Sequence, residues 1–489
     1  MNKIYIVGLG PGSIESLTLS ALKRIESNKP HFLRTINHPS VDYFKDKNIK
    51  FKAFDYIYDS KESFDEVYES IVFELLEEVK KHGEINYYVP GNPMIAEKTV
   101  QLLLESLKED QVEIVSGISF IEPILEIVNK DPIEGLKILD GIGLKSSQVD
   151  INSHQIITQV YNDMLMSDVK LTLMETYPDD YLVYLIHKAG LKDSQIIEHI
   201  PLHEIDRSKN IGVLTSLFIP KLEKKDYPIY DYNDILDLMK KLRGDGGCPW
   251  DMEQDHLSIR GAILEEAYEL VEALNENDTD HIAEELGDLL LQVVFHTQLA
   301  LEEGEFNPNY VTTSLANKLI TRHPHVFFQK KVDNSKEVVY NWDEIKYQSR
   351  NISGLSEKLR NIPRLTALLK SYKVQEKAAK VGFDWDDIRG SSEKIIEEHE
   401  EVLEAYKLKG KGDFDLEGEV GDLLFAVVNL ARFLEVNPEL ALERTTEKFI
   451  KRLEIMEYKA RQRGILLESM NLKDLDLLWD QAKEEENTK

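Results

Sequence analysis

Eight acidic residues in the second half of the chain form one pattern written twice. Glu266-x-x-Glu269 is followed by Glu285-x-x-Asp288, and Glu398-x-x-Glu401 is followed by Glu419-x-x-Asp422. The first pairs are offset by 132 residues (398 − 266) and the second pairs by 134 (419 − 285). A carboxylate three positions after another shares its helix face. Two such helices side by side would aim four carboxylates at one spot. Like charges so placed repel unless a cation lies between them. The chemistry this spacing offers is therefore metal binding, in two copies.

The residues around the second pair of each copy are strongly apolar, LGDLLLQVVF and VGDLLFAVV. Asp288 and Asp422 thus stand at the edge of buried stripes, where an unpaired carboxylate is costly. An all-oxygen set suits Mg²⁺, which takes oxygen ligands and keeps several waters. No His occupies these positions, which disfavours zinc and the Glu-x-x-His di-iron bundles. The plainer alternative is acidic decoration of a solvated helix face, which accounts for a lone Glu-x-x-Glu but poorly for the whole doubled pattern.

Basic and aromatic residues follow each acidic set in the same order. Lys318 and Arg322, and likewise Lys448 and Arg452, lie one helical turn apart and could bind phosphate oxygens. Trp342 and Trp479 could stack on a base or plug a core, and Lys346 and Lys483 share their faces. His323-Pro-His325 could be a metal pair, but the proline suggests an extended turn instead. Acidic pairs, a basic turn and a Trp-Lys element at nearly constant offset indicate a duplicated helical unit.

These residues resemble the MazG family. The string Cys248-Pro-Trp-Asp251, Glu265 to Glu269, Glu285-Leu-Gly-Asp288 and Arg322-His-Pro-His-Val-Phe327 carries the likeness, over about residues 233–485. The resemblance implies an all-α nucleoside triphosphate pyrophosphohydrolase that cleaves an NTP to NMP and pyrophosphate with Mg²⁺. It implies that Glu266, Glu269, Glu285, Asp288, Glu398, Glu401, Glu419 and Asp422 hold metal. It also implies that a homodimer completes the site. In tandem members the C-terminal unit is the usual active one. The expected catalytic residues are therefore Glu398, Glu401, Glu419 and Asp422, with Lys448, Arg452, Trp479 and Lys483 on the substrate. Lys318, Arg322, Trp342 and Lys346 are their counterparts in the first copy.

The first 220 residues alternate strand-like and helix-like segments, which argues α/β with a mainly parallel sheet. Strands are expected at Lys3–Leu9, Ile85–Val89 and Val112–Val115, and helices at Leu17–Ile25, Glu66–Lys81 and Glu97–Leu107. A second α/β lobe is expected from about Gln155, with strands at Gln155–Gln159, Lys170–Glu175 and Ile211–Leu214. Three loops follow first-lobe strands: Gly8-Leu-Gly-Pro-Gly12, Pro90-Gly-Asn-Pro-Met94 and Ser116-Gly-Ile-Ser119. Loops at the carboxyl ends of parallel strands converge at one sheet edge. Gly-x-Gly-x-x-Gly itself fails, because position 13 is Ser.

Together the loops resemble the tetrapyrrole methylases, bilobal α/β enzymes that bind S-adenosylmethionine. Asn92 replaces the Asp of that family's Gly-Asp-Pro loop, and Ser116 replaces the Pro of its Pro-Gly-Val/Ile-Ser loop. The resemblance implies that Gly8, Gly10, Gly12, Gly91, Asn92, Met94 and Ser119 line the cofactor. The complete chain resembles a bacterial fusion of a methylase domain with a MazG unit. The expected architecture is a methylase-like domain at 1–220 and a linker at 221–232. Two MazG-like helical-bundle repeats follow at 233–350 and 351–489.

Composition bounds the alternatives. A length of 489 residues exceeds what one core usually supports. The net charge of −30 argues against a nucleic-acid partner, whose footprint is usually basic. No apolar run is long enough to span a membrane. One cysteine, Cys248, permits no internal disulfide and fits a cytoplasmic protein. Two other functions stay open at this point: a methyltransferase whose helical half regulates or dimerises it, and an acidic helical scaffold without catalysis.

Overall fold

In a computed structural model, the structure describes residues 2–61, 63–328, 331–332, 334–348, 352, 354–408 and 415–486. The chain divides into two compact units that part between Gln254 and Asp255.

The first unit holds two five-stranded sheets. Strands β1 (Lys3–Gly8), β2 (His31–Leu33), β3 (Phe51–Ala53), β4 (Glu84–Val89) and β5 (Val112–Val115) form one, in the order β3-β2-β4-β1-β5. All its pairings are parallel, with Lys3 opposite Glu84 and Gly8 opposite Val89. Central strands covered on both faces read as continuous apolar runs, and KIYIVG does so. Between β1 and β4 the chain passes through α1 (Leu19–Ile25), β2, a short helix at Val41–Asp46, β3, a helical turn at Asp55–Tyr58 and α2 (Phe64–His82). The Ser63 hydroxyl accepts from Glu66 N to start α2, and Gly83 at φ 75° ends it. Val67, Ile71, Leu75 and Val79 lie on one face of α2 and pack on Ile4, Ile6 and Ile85. After helix α3 (Lys98–Ser106) comes β5.

The second sheet differs from expectation in three ways. It begins earlier, with β6 (Leu136–Asp140) pairing parallel to β7 (His154–Thr158). Its other strands, β8 (Leu182–His187), β9 (Ile196–Pro201) and β10 (Thr215–Ile219), pair antiparallel in the order β6-β7-β10-β8-β9. Two expected strands are absent. Lys170–Glu175 is not a strand, since helix α5 (Asp163–Met174), which follows α4 (Ile121–Val128), covers most of it. Asn162 caps that helix, and Met166, Val169 and Leu173 are buried at helical spacing, so its last turns only mimic strand alternation. Ile211–Leu214 is a turn, because Gly212 N–H donates to the Thr215 hydroxyl and Thr215 N–H donates to the Gly212 carbonyl. The strand starts at Thr215, where TSLFI is buried throughout. Helix α6 (Tyr232–Arg243) also belongs to this first unit.

The second unit is helical in all the elements described. Its first copy comprises α7 (Ala262–Glu276), α8 (Thr279–Glu302), α9 (Pro308–Arg322) and α10 (Ser335–Gln348). Its second comprises α11 (Ala367–Ala379), α12 (Ile388–Leu408), α13 (Leu416–Phe433), α14 (Pro438–Gln462) and α15 (Leu472–Glu486). The segment 324–327 is one helical turn, not an extended stretch, because Pro at the first helical position lacks only an N–H that the helix does not use. A core joins Met456 and Ala460 of α14 to Leu478 and Ala482 of α15.

Candidate active site

Helices α7 and α8 are joined by two residues. Asn277 ends the first in the left-handed region at φ 56°, and the Asp278 carboxylate accepts from Asp280 N and His281 N to start the second. So tight a hairpin folds α8 back along α7. It brings Glu266 to Glu285 and Asp288, with oxygens from all three within 4.8 Å of one another. In the second copy Asp415 caps α13 by accepting from Gly418 N. Oxygens of Glu398, Glu419 and Asp422 meet there within the same limit.

Each set contains one buried glutamate, Glu285 or Glu398, each 6% exposed. In both, Oε2 has no hydrogen-bond partner. The other oxygen meets a basic group one turn earlier: Glu285 Oε1 lies 3.1 Å from His281 Nε2, and Glu398 Oε1 lies 2.6 Å from Lys394 Nζ. A buried carboxylate oxygen without a partner is expensive, and a divalent cation would relieve that cost. Burial, then the charges of Asp288, Glu269 and Glu285, push the Glu266 carboxyl above the usual glutamate range. Glu401 is pushed up by burial and then by Glu398. Glu269 and Glu401 thus stand beside the three-carboxylate sets rather than within them. The donor chemistry fits Mg²⁺ in both copies.

His281 and Lys394 were not anticipated. Both lie four residues before the buried glutamate of their set, which is a visible signal, since such a residue shares its helix face. Attention to the acidic pattern alone passes over them.

The basic and aromatic elements meet in both copies. The Arg322 guanidinium lies 5.8 Å from the Trp342 ring centre, and Arg452 lies 5.3 Å from that of Trp479. Trp342 is 38% exposed, with His323 edge-on at 5.2 Å. Trp479 is half-buried, packed against Phe449 and the Met456 core. Arg452 Nε also donates to Glu486 at 2.7 Å. Lys483 lies 3.8 Å from Asp480, while Lys318 and Lys448 are exposed on their helices. His323 and His325 have ring centres 5.7 Å apart, and neither belongs to the three-residue metal-competent groups found among the described residues.

In the first unit, the three glycine loops cross. Gly10 and Gly91 exchange backbone hydrogen bonds at 3.2 and 2.8 Å. A Cβ on Gly8 would lie 2.5 Å from the Gly91 carbonyl oxygen and 2.6 Å from Gly117 N, so only glycine fits there. Asn92 Nδ2 donates to the Gly117 carbonyl at 2.9 Å, and Asn92 Oδ1 accepts from Met94 N. Ser119 pairs with Glu122 at the start of α4. The first loop is tied down by residues that its glycines do not reveal. Ser40 donates to the carbonyls of Leu9 and Gly12, and His38 Nε2 pairs with the Gly10 carbonyl at 3.0 Å. Burial pushes the His38 imidazole down to about 4, and its Nδ1 has no partner.

Comparison with known proteins agrees with this division. The tetrapyrrole (corrin/porphyrin) methylase family matches residues 3–206. The MazG nucleotide pyrophosphohydrolase domain matches twice, at 254–327 and 390–455. YabN of Bacillus subtilis, described as uncharacterized, is 40% identical over 99% of this chain and 99% of its own. A nucleoside triphosphate pyrophosphohydrolase/pyrophosphatase MazG of Thermotoga maritima is 43% identical over 52% of this chain and 95% of its own. The nucleoside triphosphate pyrophosphohydrolase of Escherichia coli K12 is 41% identical over 52% of this chain and 97% of its own. The chain belongs to the MazG family, in the form that carries a tetrapyrrole methylase domain ahead of two MazG repeats.

Proposed function

We propose that this protein is a Mg²⁺-dependent nucleoside triphosphate pyrophosphohydrolase, converting an NTP and water to an NMP and pyrophosphate. The observation that carries this reading is the pair of three-carboxylate sets, each with a buried glutamate oxygen lacking a partner. Relatives named as NTP pyrophosphohydrolases are 43% and 41% identical over about half of the chain. When bound, Mg²⁺ would neutralise charge on phosphate oxygens and lower the barrier to attack at the α-phosphorus.

In this reading Glu398, Glu419 and Asp422 hold the ion in the second copy, and Glu266, Glu285 and Asp288 in the first. Glu401 has a raised affinity for a proton, which suits it to orient the attacking water and take its proton. Lys448 and Arg452 would hold phosphate oxygens, and the Arg452–Trp479 contact would keep the guanidinium in place. A second copy of the chain would cover the exposed Leu424, Phe425 and Val427 of α13 and Leu290, Leu291 and Val293 of α8. No helix among the described residues is long and apolar enough to cross a membrane.

The first unit is proposed to bind S-adenosylmethionine at the crossing of the Gly8, Gly91 and Gly117 loops. The glycines there let the loop backbones approach closely, as in sites where backbone meets a ligand. Two experiments separate the activities. Purified protein with the common NTPs and Mg²⁺ should release pyrophosphate, and Glu285→Ala with Glu419→Ala should abolish it. Absence of release, or release unchanged in that double variant, would overturn the hydrolase reading. Saturable S-adenosylmethionine binding lost on Gly91→Trp would support a methyltransferase role.

A further inference from the structure

The two acidic sets share three carboxylates and a partnerless buried oxygen, but not the group on the opposite oxygen of the buried glutamate. In the second copy that group is an ammonium. Lys394 Nζ lies 2.6 Å from Glu398 Oε1 and 2.8 Å from Glu397 Oε1. In the first copy it is the His281 imidazole, at 3.1 Å from Glu285 Oε1. The repeat offset puts Ala262 where Lys394 stands, and Asp415 where His281 stands. Among the described residues, no Lys or Arg forms an ion pair with Glu266, Glu285 or Asp288.

We propose that the two copies are unequal cation sites: Glu266, Glu285 and Asp288 hold a resident divalent cation without nucleotide, while Glu398, Glu419 and Asp422 gain theirs together with substrate. The inference rests on the Mg²⁺ reading above and adds to it a division of labour between the repeats.

The reason is electrostatic. A cation entering the second set must approach an ammonium already paired to one of its ligands. Two positive charges a few Å apart repel even where the effective dielectric is high, and the cost is roughly tenfold or more in affinity. Lys394 is held there by two carboxylates at once, Glu397 and Glu398. Among the described residues the first set has no ammonium or guanidinium paired to its ligands. Its buried glutamate faces the His281 imidazole rather than an ammonium. A nucleotide brings negative phosphates, which offset the ammonium and let a second cation settle.

The test uses the full chain, Mn²⁺ as the probe, and no nucleotide. Free Mn²⁺ is followed by its electron paramagnetic resonance signal, and heats of binding by calorimetry. Two classes of site are expected, differing roughly tenfold or more. Glu285→Gln should remove the tight class and Glu398→Gln should leave it. Lys394→Met should tighten the weak class by about tenfold. Because Lys394 is a partly exposed side chain, that variant keeps the test open if a glutamate variant fails to fold. One class of equal sites overturns the inference, as does loss of the tight class in Glu398→Gln or no change in Lys394→Met. If pyrophosphate release persists alongside any of these, only the inequality falls. If Mn²⁺ binds neither with nor without nucleotide, the Mg²⁺ reading falls with it.

Discussion

The Arg452 guanidinium lies 5.3 Å from the ring centre of Trp479 and donates from Nε to Glu486 at 2.7 Å. The first copy repeats the contact between Arg322 and Trp342 at 5.8 Å. Arginine over an indole is a favourable cation–π geometry. It ties the helix that carries the arginine in each copy to the element that follows. The copies differ in how far the ring is also part of a core, which sets the first prediction.

Trp479 packs on Phe449 and the Met456 core, whereas Trp342 is 38% exposed. Trp479→Ala should destabilise the helical unit by about 3 kcal/mol. Trp342→Ala should cost about 1 kcal/mol or less. Denaturant unfolding of the two variants side by side checks the ordering, and equal losses would contradict it.

Neutralising a ligand should separate stability from activity. Burial and then acidic neighbours hold the Glu266 carboxyl above its usual range. Where a folded carboxyl is raised, the folded state binds more protons than the unfolded state in the window above the ordinary glutamate value. Without metal, stability should therefore rise as pH falls through that window. Saturating Mg²⁺ should remove the slope, and so should Glu266→Gln. Thermal melts with EDTA and with Mg²⁺ across mildly acidic pH provide the measurement.

The His38 imidazole makes the opposite kind of pH dependence. Burial depresses it to about 4, so the folded form stays neutral while the unfolded form takes a proton near its ordinary value. Stability should fall as pH drops from about 6.5 toward 4, by roughly 3 kcal/mol in all, and level off below. His38→Gln, which can still donate to the Gly10 carbonyl, should flatten that dependence. Hydrogen exchange at the amides of β1 reports it, and an unchanged slope in the variant would rule His38 out.

The glycine crossing should tolerate nothing larger. A Cβ on Gly8 meets two backbone atoms at 2.5 and 2.6 Å, and backbone cannot swing aside as a side chain can. Gly8→Ala should destabilise the first unit by about 2 kcal/mol or more and weaken S-adenosylmethionine binding. Calorimetric titration and a melt of the same sample check both.

Removing metal should stop catalysis reversibly. EDTA should abolish pyrophosphate release and Mg²⁺ should restore it, since Lys394 or His281 meets only one oxygen of its set and leaves the buried Oε2 without a partner. Release that continues at full rate in EDTA would count against the metal role.

Much of the molecule was legible before any coordinates. The α/β first half, the all-helical second half and the doubled acidic pattern follow from periodicity and spacing, which act locally. The first sheet was parallel as expected, because runs such as KIYIVG have no polar face to show to water. The second sheet misled at the edges. Half-apolar stretches such as Lys170–Glu175 fit helix and strand equally, and the Asn162 cap decided between them.

The sequence by itself determined which side chains could bind metal, phosphate and cofactor, since residue type and helical spacing set the face on which each lies. Tertiary structure decided which of those faces meet. It gathered three of the four carboxylates of each copy, leaving Glu269 and Glu401 beside them. It buried Glu285 in one copy and Glu398 in the other, and set an imidazole against the first and an ammonium against the second. The physical reason is that burial and charge are properties of a packed neighbourhood. Two copies with the same ligand types differ once different side chains close around them.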